Sequence, residues 1–393
     1  MPLSADRLLA DLEELAPKLR EVASRIHAHP ELRFEEHQAA AWLAEALESE
    51  GVEVERGVGG LPTAFRARVG HGAGPRIALL AEYDALPEIG HACGHNLIAG
   101  GALGGFLALA RQAASIEGSV LLLGTPAEEG GGGKVRLLDA GIFEGVDAAM
   151  MFHPFDRDLT SHHTLANCWL ELGFHGRPSH AAIAPHEGAS ALTACMETFR
   201  LVDSQRVHFR DGVRVHGYIT DGGQAVNIIP ERAAAEFSVR ATTLAELERV
   251  KAIVLRCARG AALACDVTVE VNERRGYKDL LTSEPMARRF GEHLRRLGRA
   301  PRERDESVGS GSTDMGDVSH AVPSIHPWIA ICDEGETTCH QRAFAACAAS
   351  ERGYAGMLDA ARAMALTTRD LLEERALLDE VKGSFEASAR RAG

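Results

Sequence analysis

The sequence predicts an α/β fold: a mainly parallel-sheet domain into which a smaller α+β unit of the split βαβ type is inserted. Three observations carry that expectation. Short apolar runs alternate with helical segments before residue 168 and after residue 284, the pattern of a sheet layered with helices. Between those positions the order changes to β-α-β-β-α-β, which is the split βαβ arrangement. Side chains able to ligate metal or move protons cluster just past the ends of the apolar runs, where open α/β sheets place their sites. The expected boundaries are 1–167 with 285–393 for the first domain and 168–284 for the insertion.

In chain order, Leu8, Leu12, Leu15, Leu19, Val22 and Ile26 recur at three- and four-residue spacing behind Ser4, so an amphipathic helix capped by that serine opens the chain. A second helix runs from about Glu36 through Trp42, Leu43 and Leu47 and stops at Gly51, a residue that tolerates the positive φ of a helix end. Strands are expected at 63–69, 76–81, 119–124 and 147–152, with a small-residue helix after Asn96 and another helix near 134–140. The insertion reads as strand 169–175, helix 187–202, strands 213–220 and 233–240, helix 244–259 and strand 267–272. A helix near 285–297, a loop over 309–316, a strand at 328–332 and a long helical region from Phe344 complete the chain.

Composition narrows the function. Lys and Arg number 42 against 56 Asp and Glu, a net charge of −14, so the long-range field opposes both nucleic acid and an anionic membrane surface. No apolar run approaches the roughly 20 residues that span a bilayer, and the acidic residues of the first helix do not suit a signal peptide. A cytoplasmic location is expected. The eight cysteines form no CxxC pair, which excludes a zinc ribbon and a thioredoxin-like redox motif.

The chemistry-bearing residues fall into four groups. The run at 76–81 delivers Glu82 and Asp84, followed by His91, Cys93 and His95; a Cys and a His two positions apart, in a loop after a buried strand, can both ligate a divalent cation. The run ending at Gly124 delivers Glu128 and Glu129, with Pro126 barring a preceding helix; one carboxylate can bind metal while its neighbour takes a proton from water. His153 follows a third run, and His340 stands near the C-terminus. Together Cys93, His95, Glu129, His153 and His340 are the donor types that hold a pair of borderline-soft cations. The nearby glycines are not nucleotide loops. Val135 follows Lys134 where a phosphate loop needs Ser or Thr, and Gly100 to Gly105 lacks a directly preceding strand, so close helix packing explains it better.

These residues stand in motifs that resemble the M20 metallopeptidase family, specifically its amidohydrolase branch, which includes aminoacylase-1-like dipeptidases and p-aminobenzoyl-glutamate hydrolases. The matching stretches are HAHPELRFE at 27–35, EYDALPEIGHACGHN at 82–96, GTPAEEGGGGK at 124–134, MMFHP at 150–154, FHGRPSHAAIAP at 174–185, GGQAVNIIP at 222–230, Val239 with Arg240, and GSTDMGDVS at 311–319. They span nearly the whole chain in family order. The resemblance implies a metallopeptidase catalytic domain with a lid and dimerisation insertion, and two divalent metal ions, Zn, Mn or Co, held by Cys93, His95, Glu129, His153 and His340. It makes Glu128 the general base and Asp84 the aspartate that orients the first metal site. It gives His180, Asn227 and Arg240 the holding of the scissile carbonyl and the substrate carboxylate, with His180 reaching across a dimer. Asp314 takes a structural role. The chain departs from other M20 branches in having Glu82 Tyr83 Asp84 where those have His-x-Asp, and Cys93 where those bridge their metals with Asp.

The implied activity is hydrolysis of the amide bond of an N-acyl amino acid or dipeptide by a metal-activated water. Two alternatives stand beside it: an amidase with Cys93 as nucleophile, and a non-catalytic binding relative that keeps the fold. His162 and His163 are expected in solvent and His326 at the pocket rim, where it would contact substrate. The strand at 213–220 puts Val213, Val215, Gly217 and Ile219 on one face and Arg214, His216, Tyr218 and Thr220 on the other, so an edge there can pair with a two-fold mate in a homodimer.

Overall fold

The computed structural model describes residues 2–305 and 311–392, so residues 309 and 310 of the expected 309–316 loop lie outside the described residues. Along the chain the elements run α1 (Ala5–Ala28), α2 (His37–Ser49), β1 (Val54–Arg56), β2 (Phe65–Val69), β3 (His71–Ala81), α3 (His95–Ala110), β4 (Glu117–Gly124), α4 (Gly133–Asp139), β5 (Ala148–Met150) and β6 (His153–Phe155). Then come β7 (Ala166–His175), α5 (Ala191–Gln205), β8 (Arg214–Asp221), β9 (Arg232–Ala241), α6 (Leu244–Ala264) and β10 (Thr268–Arg275). The chain continues through α7 (Glu284–Arg296), α8 (Met315–Ala321), β11 (Ser324–Ile325), β12 (Trp328–Ala330), α9 (Arg342–Cys347), α10 (Glu351–Glu373) and α11 (Arg375–Ala392). Two compact units result. One is made of Met1–His162, Leu280–Ser310 and Asp314–Arg391, the other chiefly of His163–Asp279 with Gly311–Thr313.

The first unit is built on a six-stranded sheet in the order β1-β2-β4-β3-β5-β11. β3 is parallel to both β4 and β5, and β11 to β5, while β2 and β1 are added antiparallel at one side. The central strands read as continuous apolar runs because both their faces are covered. Ile77, Leu79 and Ala81 enter a core with α1, α3 and α10, whereas Ala78 and Leu80 enter a second core with Leu137 of α4 and Val318 of α8. The Ser4 hydroxyl accepts the Arg7 N–H and starts α1 as the sequence indicates.

Helix α3 is buried almost throughout. Its glycines are packing residues: a Cβ on Gly101 would stand 2.5 Å from the Phe152 ring, and one on Gly104 would stand 2.6 Å from Leu19. The expected strand at 147–152 is shorter in the structure, and a further strand follows it. β5 stops at Met150, Phe152 turns into the core, and β6 pairs in parallel with β12 in a separate two-stranded sheet, which carries His153 out of the main sheet.

In the second unit the observed order β-α-β-β-α-β forms one antiparallel sheet, β10-β7-β9-β8. Alternate residues of β7 and β9 pack beneath α5 and α6 in a core of their own, which leaves the other face of those strands free of the helices. No helix among the described residues is long and apolar enough to cross a membrane.

Candidate metal centre

Parallel pairing of β3 with β4 sets the two acidic segments side by side. Ala81 lies opposite Gly124, and the Thr125 N–H donates to the Ala81 carbonyl at 2.7 Å, so both chains leave the sheet together. Asp84 then fixes the geometry: one oxygen is 3.2 Å from His95 Nδ1 and the other accepts the Glu129 N–H at 2.9 Å. Gly94, the N-cap of α3 at φ 76°, places Cys93 and His95 on either side of a left-handed turn. A Cβ there would stand 2.9 Å from Pro154, so glycine also lets the His153 segment approach.

The donors converge in three overlapping groups, in each of which one ligand atom per residue lies within 4.8 Å of the others. These are Cys93, His95 and His153; Cys93, Glu129 and His340; and His95, Glu128 and Glu129. The imidazoles are oriented by their far nitrogens. His95 Nδ1–H is directed at the Asp84 carbonyl, 2.9 Å, and His153 Nδ1–H at the Pro154 carbonyl, 2.7 Å. Each therefore turns Nε2 inward, the arrangement in which a histidine ligates metal. His95 Nε2 is buried and has no hydrogen-bond partner, and His153 Nε2 lies 3.6 Å from the Cys93 sulfur. A thiol, imidazoles and carboxylates with an orphaned inward nitrogen fit divalent cations of borderline softness. His340 reaches the group from a left-handed residue, φ 67°, with Nε2 3.3 Å from Glu129 Oε1.

The electrostatics follow from crowding. Burial raises the pKa of Glu128 well above the carboxylate range, and the charges of Glu82, Glu129 and Asp314 raise it further. Burial opposes a charge on His95, but Glu82, Asp84 and Glu129 outweigh it and raise its pKa. His153 falls to about 4, because of burial first and then the neighbouring His95. The Cys93 thiol is pushed up by a hydrogen bond with Cys339, then by burial and by the charges of Glu129 and Glu128.

Beside the donors lies a buried ion pair network that the motifs did not reveal. Lys134 Nζ is 2.5 Å from Glu82 Oε2 and 2.8 Å from Asp314 Oδ1, and the Lys134 N–H donates to Asp314 Oδ2 at 3.0 Å. All three side chains are buried, and the other Glu82 oxygen faces His95 Nε2 at 3.4 Å. A count of acidic residues at the strand ends was the available signal, since so many carboxylates in one place require a cation.

The remaining expected residues separate by unit. His326 lies in the first unit, but buried rather than at a rim; both its ring nitrogens lack partners, and its ring centroid is 5.5 Å from that of His153. His162 is likewise buried rather than solvated, because it stacks on Trp328 at 4.3 Å and is 2.9 Å from the His326 carbonyl; His163 is exposed as expected. His180, Asn227 and Arg240 lie in the second unit. His180 is exposed, and its Nδ1 accepts the N–H groups of Ala182 and Ile183, both at 3.2 Å, so Nε2 carries the proton. Asn227 is exposed on the neighbouring turn, its carbonyl accepting the Ala181 N–H at 3.0 Å. Arg240 is half-buried on β9, between Asn167 of β7 and Arg214 of β8.

A sheet whose strand ends gather thiol, imidazole and carboxylate donors beside a protonatable glutamate defines a hydrolase of the metallopeptidase class. The chain belongs to peptidase family M20/M25/M40, which residues 78–363 match. It is 37% identical to the Xaa-Arg dipeptidase of Mus musculus over 391 residues, covering 95% of this chain and 90% of that protein. It is 30% identical to a component chain of the p-aminobenzoyl-glutamate hydrolase of Escherichia coli K12, covering 92% and 90% respectively. Its fold is similar to that of a dinuclear metal binding peptidase of the M20 family from Bacillus subtilis, with a TM-score of 0.67 at 21% identity over 88% of this chain and 98% of that one.

Removing the buried cation tests the network. Lys134→Met should cost about 3–5 kcal/mol of unfolding free energy in urea titrations, since it removes the ammonium that neutralises the buried Glu82 and Asp314 carboxylates. An effect below about 1 kcal/mol, the range of a surface pair, would show that the lysine does not hold these carboxylates.

Proposed function

We propose that this protein is a binuclear metal-dependent amidohydrolase that cleaves the amide bond of dipeptides or N-acyl amino acids. The observation that carries this reading is the convergence of Cys93, His95, His153, Glu129 and His340 with Glu128 beside them. Those five residues would hold two divalent ions, Zn, Mn or Co; when bound, the ions supply Lewis acidity that lowers the pKa of water toward neutrality. Glu128 accepts the proton of the attacking water and returns it to the departing amine. Its carboxylate lies within 4.8 Å of ligand atoms of His95 and Glu129, in place for both transfers. Asp84 keeps His95 and Glu129 in place by its two hydrogen bonds.

In the second unit, the protonated Nε2 of His180 suits donation to the scissile carbonyl oxygen as negative charge develops there, with Asn227 as its neighbour. Arg240 provides a planar fork for the free carboxylate of the substrate. His326 offers two unpartnered nitrogens to the substrate beside His153. The names of the mouse and E. coli relatives support the substrate class: Xaa-Arg and p-aminobenzoyl-glutamate both join an acyl group to the nitrogen of an amino acid. The cysteine-nucleophile alternative, with His91 or His95 as base, is disfavoured because the Cys93 thiol is pushed up in pKa and because it leaves Glu128, Glu129, His153 and His340 without roles.

β8 stands at the edge of its sheet, and Tyr218 and Ile219 on it are 61% and 40% exposed, so the strand is suited to pairing with a second copy. The proposed assembly is a homodimer through this domain, which acts as lid and lends His180 to the partner's site. The described cysteines are all free thiols, which suits a reducing, cytoplasmic setting.

Two experiments follow. With amine release measured on a panel of dipeptides and N-acyl amino acids in added Zn, Mn or Co, Glu128→Gln should lower kcat by about 10²–10⁴-fold and leave metal content at the wild-type level. Loss of metal in that variant would mean that Glu128 and Glu129 exchange roles. When Glu128→Gln and His180→Ala proteins are mixed under conditions of subunit exchange, activity should reappear, because one hybrid site joins an intact Glu128 to an intact His180. Heterodimers without recovered activity would refute the role of His180 across the interface.

A further inference from the structure

We propose that Glu36 is a positioning residue for the paired carboxylates Glu128 and Glu129, holding Ala127 in the left-handed backbone conformation that aims them. The inference deepens the reading above and rests on it for the role of Glu128. The segment 27–35 and the glutamate after it supply none of the donors of the metal centre, yet Glu36 is completely buried. Its helix does not use it. Glu36 occupies the N-cap position of α2 without a side-chain capping bond, and the Glu31 carboxylate accepts the Gln38 and Ala39 N–H groups instead.

The Glu36 carboxylate is turned toward the acidic turn. Oε1 accepts the Ala127 N–H at 2.8 Å and the Phe34 N–H at 2.9 Å, and Oε2 accepts the Thr63 hydroxyl at 3.0 Å. Both backbone donors belong to residues in the left-handed region, Ala127 at φ 60° and Phe34 at φ 65°. That conformation is unfavourable for a residue with a Cβ, so it persists only where neighbours enforce it. At Ala127 it turns the chain away from the direction of β4, and the Glu129 N–H reaches Asp84. Glu36 and Asp84 thus hold the N–H groups at 127 and 129, one on each side of Glu128. The turn is closed from the other direction by Gly133, whose N–H is 3.4 Å from the Ala127 carbonyl.

The clamp needs an acceptor rather than a charge. Burial, with Asp84 adding to it, brings the Glu36 pKa up to about 7, and the carboxyl keeps an oxygen for both N–H groups in either protonation state. Glutamine offers the same oxygen; alanine offers none.

The test compares Glu36→Gln, Glu36→Ala, Ala127→Gly and the Glu36→Ala, Ala127→Gly double variant in the full-length, metal-loaded protein. The readouts are kcat and KM on a dipeptide that the wild type hydrolyses, and Zn²⁺ affinity. Glu36→Ala should lower kcat about tenfold or more, since a displacement of about 1 Å at a catalytic group costs up to 10²-fold, with KM within about threefold because substrate contacts lie elsewhere. Zn²⁺ affinity should fall about tenfold as well, because Glu129 moves with the turn. Glu36→Gln should preserve both, and Ala127→Gly should recover a large part of the Glu36→Ala loss, since glycine takes positive φ without penalty. Wild-type kcat and Zn²⁺ affinity in Glu36→Ala, or no rescue by Ala127→Gly, would overturn the proposal. Should Glu36→Ala fail to fold, Glu36→Asp, one methylene short of both N–H groups, takes its place in the same comparison. A fully active Glu128→Gln would refute the general base alone; the clamp is then decided by Zn²⁺ affinity.

Discussion

Negative charge at the ends of β3 and β4 is the constraint on which the rest of this protein depends. Glu82, Asp84 and Asp314 are buried together, Glu128 and Glu129 adjoin them, and Lys134 is the buried lysine among them. Carboxylates so placed raise one another's pKa or require cations, because a low-dielectric interior penalises unpaired charge. Part of that demand is met within the chain by Lys134. The remainder falls on the side where Cys93, His95, His153 and His340 present soft or neutral donors, and there divalent cations would balance the acids that the fold concentrates.

The fold works to keep these groups from relaxing apart. Parallel pairing of β3 and β4 fixes the separation of the two acidic segments, the left-handed turn at Gly94 starts α3 with Cys93 and His95 in position, and the separate β6–β12 pairing brings His153 to the Cys93 sulfur. Around this donor set, hydrogen bonds from His95 Nδ1–H to Asp84 and from His153 Nδ1–H to the Pro154 carbonyl fix which imidazole nitrogen faces inward. Ala127 of the acidic turn and Phe34 of the segment before α2, both left-handed, share one Glu36 oxygen, so the turn is held by a group outside the donor set.

Much of this was legible in the sequence because apolar runs and the residues just past them report strand ends directly. The EYD, HACGH and AEE segments follow such runs, and the structure brings them together; the β-α-β-β-α-β order of the second unit is legible for the same reason. What stayed hidden is long-range or conformational. Nothing local pairs Lys134 with Asp314, 180 residues apart. An alanine or phenylalanine at positive φ leaves no compositional mark, unlike a glycine, so the turn at Ala127 and its tie to Glu36 appear only in three dimensions. The burial of His162 and His326 escaped for a similar reason, since His162 stacks on Trp328 and the His326 ring packs against His153 and His162, contacts between segments far apart in the chain.

The central claim is that the chain's own donors form a centre for two metal ions. Anomalous diffraction from crystals of the full-length protein grown with Zn²⁺ tests it most directly. The account predicts two peaks, about 3.5–4 Å apart as in other two-metal hydrolytic sites, both in contact with residues among Cys93, His95, Glu129, His153 and His340. A single peak from fully active enzyme, or peaks bound by other residues, would contradict it.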